Sequence, residues 1–480
     1  MASIRGLPTS FGSRPGGAAT WRQPGEMSGK VVVGGLCVAG LAIGLLAGVN
    51  PKLAIGAAIG LGFAGLVLAN ITVGLCFFAF ISFLEVLSSS YGITKLVGFL
   101  LVISWLAVVT TRDDAENDFM SAHPGITYAL ALFVGWSAVS LLWAENIPAA
   151  IDFTFRYLQN ALLFLIVFTA IRERTHARWL VGAFVMGASV AAIFAVLNPP
   201  QAGQYDVSRA TGTIGDPNEL AAVLVAGVIL AGVLVSLLRK APTLRVLAAG
   251  AALLCAAGLF STFSRGGLVA LGFALLAAMF LGGRWRGRAV GIAALAAFFA
   301  IVFFALIAPQ AATQRITQVD GGTGRTDIWR VGGRMVQAHP IRGVGAGNFR
   351  WTSVHYTLQP GAVRYDYFID HPKVAHNTYL QELAELGVVG LSLFLTIVLF
   401  SVISAVKAAR KFAEVDDRDM ELLSRGVLLA LLGILAADFF ISGQFSKQLW
   451  LLMGFGPALL AIASRQLPAP VRKRHAPRFS

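Results

Sequence analysis

The chain has 480 residues, 56% hydrophobic and 13% charged, with a mean hydropathy of +0.73 and a formal net charge of +14. Soluble domains carry about 25% charged residues, so a soluble globular fold is excluded. The apolar residues fall in continuous Gly-, Ala- and Leu-rich blocks of about 17–25 residues, the length of membrane-spanning helices, and not in the alternating pattern of a membrane barrel.

Residues 1–30, rich in Gly, Pro and Arg, predict a disordered cytoplasmic tail without the apolar core of a cleavable signal. Residues 31–308 hold the first group of predicted spans: 31–49, 53–69, 71–87, 95–110, 125–143, 156–171, 179–197, 219–238, 246–262, 267–282 and 289–308. A large loop follows at 309–386, then spans at 387–406, 427–442 and 449–464 within a C-terminal group covering 387–464, and a basic cytoplasmic tail at 465–480. The fold class is therefore an all-α polytopic membrane protein with an even number of helices between 12 and 14. Cys37, Cys76 and Cys255 all lie in apolar blocks, where cysteine is a small packing residue; no disulfide or metal site is assigned to them.

The short basic segments 172–178, 239–245, 284–288 and 407–411 and the tail 472–478 fall on one side if the spans alternate. Lys and Arg collect in cytoplasmic loops, so that side is the cytoplasm, both termini are cytoplasmic, and the loop 309–386 faces outward. On a soluble protein the +14 charge would raise nucleic acid as a partner; topology explains it here. The outer loop holds His339, His355, His371 and His376, eight basic residues from Arg315 to Lys373, and many aromatics. Such a surface beside a membrane suits an anionic substrate that also stacks, such as a sugar diphosphate.

Four stretches carry candidate chemistry. In SRATGTIGDPNELAA, 208–222, Asp216 or Asn218 caps the next helix, which leaves Arg209 unexplained. In STFSRGGLVAL, 261–271, a turn delivers Arg265 to the outer boundary. A lone Arg in a short outward loop invites a specific anion, although an interfacial, snorkelling Arg is the structural alternative. GGTGRTDIWR and AHPIRGVGAGNF supply Arg325 and Arg342 beside glycines whose bare N–H groups can cradle phosphate; without a nucleotide-binding context, a flexible loop is the default reading of GVGAG. In VAHNTYLQELAELGVVG, 374–390, Thr378 and Gln381 have capping-box spacing. His376 and Asn377 then stand just before a helix N-terminus, whose free N–H groups favour anions. For His339, His355 and His371 a solvated loop position is the better reading; His376 is placed to take a proton near neutral pH. Asp417-x-Asp419 has the spacing of a metal motif, but in mixed-charge surroundings it reads as a solvated helix face.

Together these pieces, spanning 209–390 and led by HNTYLQELAELGVVG, resemble the bacterial O-antigen ligase and O-antigen polymerase superfamily. The resemblance implies an inner-membrane glycosyltransferase that moves a glycan from undecaprenyl diphosphate to an acceptor at the periplasmic face. The acceptor is lipid A–core oligosaccharide in ligases, a second lipid-linked repeat unit in polymerases, and a protein hydroxyl in a third branch. The ligase is the expected member. His376 is the expected general base; Arg209, Arg265 and Arg325, with Arg342 as a weaker fourth, are the expected diphosphate contacts; Asn377 is an expected substrate-binding residue. Arginines that supply the charge leave no need for a metal or other cofactor, and a single displacement inverts the anomeric centre. A transporter of lipid-linked sugar is the rival reading. It calls for ionisable groups deep along a path, whereas the interior candidates are few: Glu85, Asp152 and Asp438.

Overall fold

The structure, a computed structural model, describes residues 60–466 except 63, 87–91, 112–118, 199–208, 304–305, 307–323 and 364–372, together with positions 41 and 45. The expected tail 1–30, the span 31–49, the first part of the span 53–69, Cys37, His371, the start of the large loop and the basic tail from 467 lie outside the described residues. The chain divides into two compact units, Met1–Phe63 and Ala64–Ser480. The first is described only at helical positions 41, 45 and 60–62.

The second unit contains α1 (Ile71–Ile81), α2 (Ile93–Thr111), α3 (Pro124–Val139), α4 (Ile147–Ala170), α5 (Arg174–Leu197), α6 (Pro217–Leu237), α7 (Pro242–Ser261), α8 (Arg265–Leu281) and α9 (Arg286–Val302). After these come α10 (Arg325–Ala338), α11 (Phe349–Thr357), α12 (Thr378–Glu414), α13 (Arg418–Ala437) and α14 (Lys447–Gln466). Among the described residues there is no strand, and nine helices are long and apolar enough to cross a membrane. The protein is an all-α, multi-pass membrane protein. Pro217 and Pro242 each occupy a first helical turn, where proline costs no hydrogen bond. Asn70, Asn146, Asp216, Ser264, Asn377 and Asp417 cap helices with their side chains.

Contacts between helix ends show two faces. At one, Arg174 pairs with Asp417 at 2.8 Å, Arg178 with Asp419 at 3.0 Å, and Arg284 with Asp416 at 2.7 Å and Glu421 at 2.8 Å. Arg239 lies over the Trp285 ring at 6.0 Å, and Arg465 donates to the Arg172 carbonyl at 3.4 Å. The basic segments within the described residues thus share one end of the bundle, as alternation requires. Asp417 and Asp419 belong to this ion-pair network. The sequence boundary at 427–442 is corrected: α13 starts nine residues earlier, behind its Asp417 cap, and stops at Ala437, leaving 438–446 as a loop.

Helix α12 has 37 residues and α13 has 20. At 1.5 Å per residue these are about 55 Å and about 30 Å, yet the two share both ends. The Thr378 N–H donates to the Asp438 carbonyl at 2.8 Å, and a short turn links Glu414 to Arg418. Gly387 resolves the mismatch. Its φ of 68° and ψ of −171° break the helix, so the first nine residues turn across the ends of neighbouring helices instead of extending the rod.

Residues of the large loop pack on that turned arm. Ile328, Val331, Met335, Val344, Phe349, Ala362, Ala375 and Ala384 form one buried apolar cluster. The glycine segment is pinned to the arm: Val344 N–H donates to Ala384 O at 3.0 Å and Gly345 N–H to Glu385 O at 2.8 Å. The Glu385 carboxylate accepts from Gly347 N–H at 2.7 Å and Phe349 N–H at 3.2 Å. The end of the glycine segment does meet an acidic group, and that group is the protein's own buried Glu385 side chain.

Candidate active site

The opposite end of the bundle gathers the starts of α6, α8, α12 and α14 and the ends of α1, α7 and α13. Thr213 Oγ1 donates to Phe83 O at 2.5 Å, and Val86 N–H to Thr213 O at 2.9 Å. Gln448 Nε2 donates to Ser82 O at 2.9 Å, and Lys447 pairs with Glu85. Thr378 Oγ1 donates to Ile441 O at 3.0 Å and accepts from Gly443 N–H at 2.8 Å. The turn before α8 joins through Gly266, where an added Cβ would meet the Phe440 side chain at 2.8 Å.

His376 stands at the mouth of α12 with φ of +48°. This left-handed conformation is sparsely populated by non-glycine residues, with Asn, Asp and His the most tolerant. Asn377 caps α12, its Oδ1 accepting from Leu380 N–H at 3.0 Å. The cap is therefore Asn377 and not Thr378 of the capping-box reading; the Thr378 hydroxyl is spent on the 441–443 loop. Asn377 is buried, and this role orients His376 through the backbone. The His376 side chain is half-buried. Burial and the nearby positive charge of Arg325 hold its imidazole below the ordinary range; Asp216 pulls upward and Lys373 adds to the lowering. Charges from three separate segments, Arg325, Asp216 and Lys373, thus act on one histidine.

Arg209 and Arg265 lie on adjacent turns. Arg209 Nε donates to Thr262 O at 2.9 Å and its Nη2 to Asn218 Oδ1 at 2.7 Å. The same Asn218 oxygen accepts from Ser264 Oγ at 3.0 Å. Phe263, between them, is buried and also left-handed, with φ of +47°. Asp216, not Asn218, is the cap of α6, accepting from the N–H groups of Asn218 and Glu219. Asn218 is then free to bind the two turns together. This was readable in advance: Pro217 at the first helical position makes residue 216 the cap and releases 218.

Arg342 is placed elsewhere. It is exposed, 5.7 Å from the Trp143 ring centroid, next to the Gly387 break. The nine-residue arm puts about 13 Å of helix between it and His376. His355 pairs with Glu145 at 3.0 Å on the outside of α11. Of the interior carboxylates, Glu85 is paired with Lys447, Asp152 forms an exposed pair with Arg156 at 2.8 Å, and Asp438 is buried at the start of the 438–446 loop. Of these three only Asp438 is buried; Glu382 and Glu385 of α12 are buried as well. Among the described residues no three His, Cys, Asp or Glu side chains gather as metal ligands.

The geometry offers a proton acceptor held in a fixed backbone turn, with guanidinium groups on neighbouring turns. That is equipment for activating a hydroxyl and for receiving negative charge. No curated protein matches the chain. Residues 250–395 match the family model Wzy_C, described as O-antigen ligase. The stretch includes Arg265, Arg325, Arg342, His376 and Asn377 and stops short of Arg209. The match supports a ligase- or polymerase-type membrane glycosyltransferase, working between lipid-linked glycans and lipid acceptors in general. Running from α7 through the His376 turn into α12, the matched stretch is similar to the O-antigen ligase domain, consistent with the O-antigen ligase and polymerase superfamily.

Proposed function

We propose that the protein is an O-antigen ligase of the bacterial inner membrane, transferring a glycan from undecaprenyl diphosphate to lipid A–core oligosaccharide at the periplasmic face. The observation that carries this reading is the left-handed His376 turn, under the positive charge of Arg325, with Arg209 and Arg265 on linked turns at the same end of the bundle. The end rich in ion-paired Arg and Asp is the cytoplasmic one by the distribution of basic loops. This puts the loop 309–386 and the site outside, and both termini inside.

In the reaction, an acceptor sugar hydroxyl attacks the anomeric carbon of the donor. A new C–O bond forms as the bond to the diphosphate breaks, and His376 takes the hydroxyl proton. One displacement inverts the anomeric centre. The departing diphosphate gains negative charge, and Arg209, Arg265 and Arg325 offset it. Arginine suits this role because its planar fork donates two bonds to one anion and its field acts most strongly as charge develops. Arg342 serves at most the outer part of a long glycan. The arginines make the reaction metal-independent.

The test uses purified protein with a defined undecaprenyl diphosphate glycan, supplied with lipid A–core or alone. Transfer to lipid A–core supports the ligase. Lengthening of the donor alone identifies a polymerase, and movement of intact donor across the bilayer identifies a transporter. His376→Ala should keep donor binding and lose at least about 100-fold in turnover. Arg209→Ala, Arg265→Ala and Arg325→Ala should each weaken both binding and turnover. Activity should persist in EDTA. Loss restored by one divalent ion would overturn the arginine assignment.

A further inference from the structure

A second cluster of cations lies at the basic end of the bundle, away from the His376 turn. Some cations at that end are neutralised. Arg174, Arg178, Arg284 and Arg425 pair with Asp417, Asp419, Asp416 and Glu421. Arg239, Lys240, Arg245, Arg286 and Arg288 behave differently. All five are exposed, and no carboxylate among the described residues lies within 4.0 Å of any of them.

Arg239 and Arg288 flank Trp285, between α8 and α9; Arg286 adjoins it in sequence, Lys240 follows Arg239, and Arg245 lies in the first turn of α7. Arg288 lies 4.7 Å and Arg239 6.0 Å from the Trp285 ring centroid. Two guanidinium groups beside one indole ring concentrate positive charge that an anion can bridge. Trp285 Nε1 is a buried donor with no hydrogen-bond partner. Flanking the cluster, Leu244, Val246 and Leu247 on α7 and Val290 on α9 are exposed, each by more than half its surface. Cations above an exposed apolar surface, at the end of membrane-crossing helices, match a molecule with a phosphate head and acyl chains.

We propose that this cluster is a binding site for the headgroup of an anionic phospholipid. The phosphate diester sits between Arg239 and Arg288 beside Trp285, and the acyl chains lie along the apolar faces of α7 and α9. Lys240, Arg245 and Arg286 add the charge that separates an anionic lipid from a zwitterionic one. The site stands apart from the transfer reaction and does not depend on how that reaction is assigned.

The test is native mass spectrometry of the full-length protein released from nanodiscs containing equal parts of phosphatidylglycerol and phosphatidylcholine. Phosphatidylglycerol should be retained preferentially. Arg239→Gln and Arg288→Gln should each reduce that retention about fivefold, and the double variant about 25-fold, from the attraction of a single basic residue near an anionic surface. Arg239→Lys with Arg288→Lys should restore part of it and shows that the fold tolerates change at these positions. Arg178→Gln, in the neutralised network, should leave retention unchanged. Equal retention of the two lipids, an unaffected double variant, or displacement of the lipid by millimolar inorganic phosphate would each overturn the proposal.

Discussion

Replacing Glu385 with Gln tests whether a buried carboxylate holds the outer-loop segment to the helix that presents His376. The carboxylate is 1% exposed and accepts from Gly347 N–H at 2.7 Å, Phe349 N–H at 3.2 Å and Gln381 Nε2 at 3.0 Å. Gln has the same shape but one acceptor oxygen, and its NH₂ must face an N–H donor. A hydrogen bond contributes about 0.5–1.5 kcal/mol, and a buried donor left unsatisfied costs about 1–3 kcal/mol. Losing one and leaving a donor unpaired should cost about 2–4 kcal/mol. The two backbone bonds from Val344 and Gly345 remain, so the effect is a local opening, more frequent by about 30- to 1,000-fold. Hydrogen exchange of a peptide covering residues 344–351 should show that loss of protection. Glu382→Gln is the control. Its Oε1 accepts from Tyr157 at 2.5 Å, on α4 and not on the glycine segment, so protection of 344–351 should hold. Unchanged exchange in Glu385→Gln would refute the pinning.

Three further outcomes follow from the geometry. Burial and Arg325 lower the His376 imidazole, so its neutral, proton-accepting form persists below the ordinary imidazole range; transfer should fail only as pH drops through that lowered value. Arg325→Gln should move this acid limb to higher pH and Asp216→Asn to lower pH, and a limb that stays put in both pH–rate profiles would remove His376 from the rate law. Asn218→Leu should weaken donor binding about tenfold by freeing the Arg209 fork, at normal expression, with Ser264→Ala weaker in effect; unchanged donor affinity would show that Arg209 needs no such hold. Gly387→Ala should cut the amount of monodisperse protein recovered in detergent, because its Cβ would lie 2.0 Å from Ile341 O at a φ of +68°, a backbone region only glycine occupies cheaply.

The bundle was legible because membrane helices announce themselves by unbroken apolar length. The start of α12 at Thr378 and the sharing of one end by the basic segments were legible too. The end of α13 was not: Phe439, Phe440 and Ile441 continue the apolar run past Ala437, and hydropathy cannot distinguish an apolar loop from a helix. The Asn377 cap was hidden by a competing Thr378–Gln381 spacing, since two adjacent polar residues offer equal local signals and only the distant 441–443 loop chooses between them. Arg209 and Arg265 were identifiable as lone cations. Their linkage through Asn218 joins residues 9 and 46 positions apart, beyond the reach of periodicity. Glu385 was invisible as the partner of the glycine segment because it sits at an ordinary helical position 38 residues from Gly347.

The left-handed backbone at His376 has a consequence for engineering. A non-glycine residue held there costs the fold about 1–2 kcal/mol, so Gly at 376 relieves strain and Asn tolerates it. With His376 as the proposed base, stability and activity are opposed at this position. Selection of variants for heat resistance alone would drift toward a sturdier and inactive protein. The same opposition makes His376→Gly and His376→Asn, well folded and slow to turn over, the forms in which to trap an uncleaved donor for structure determination.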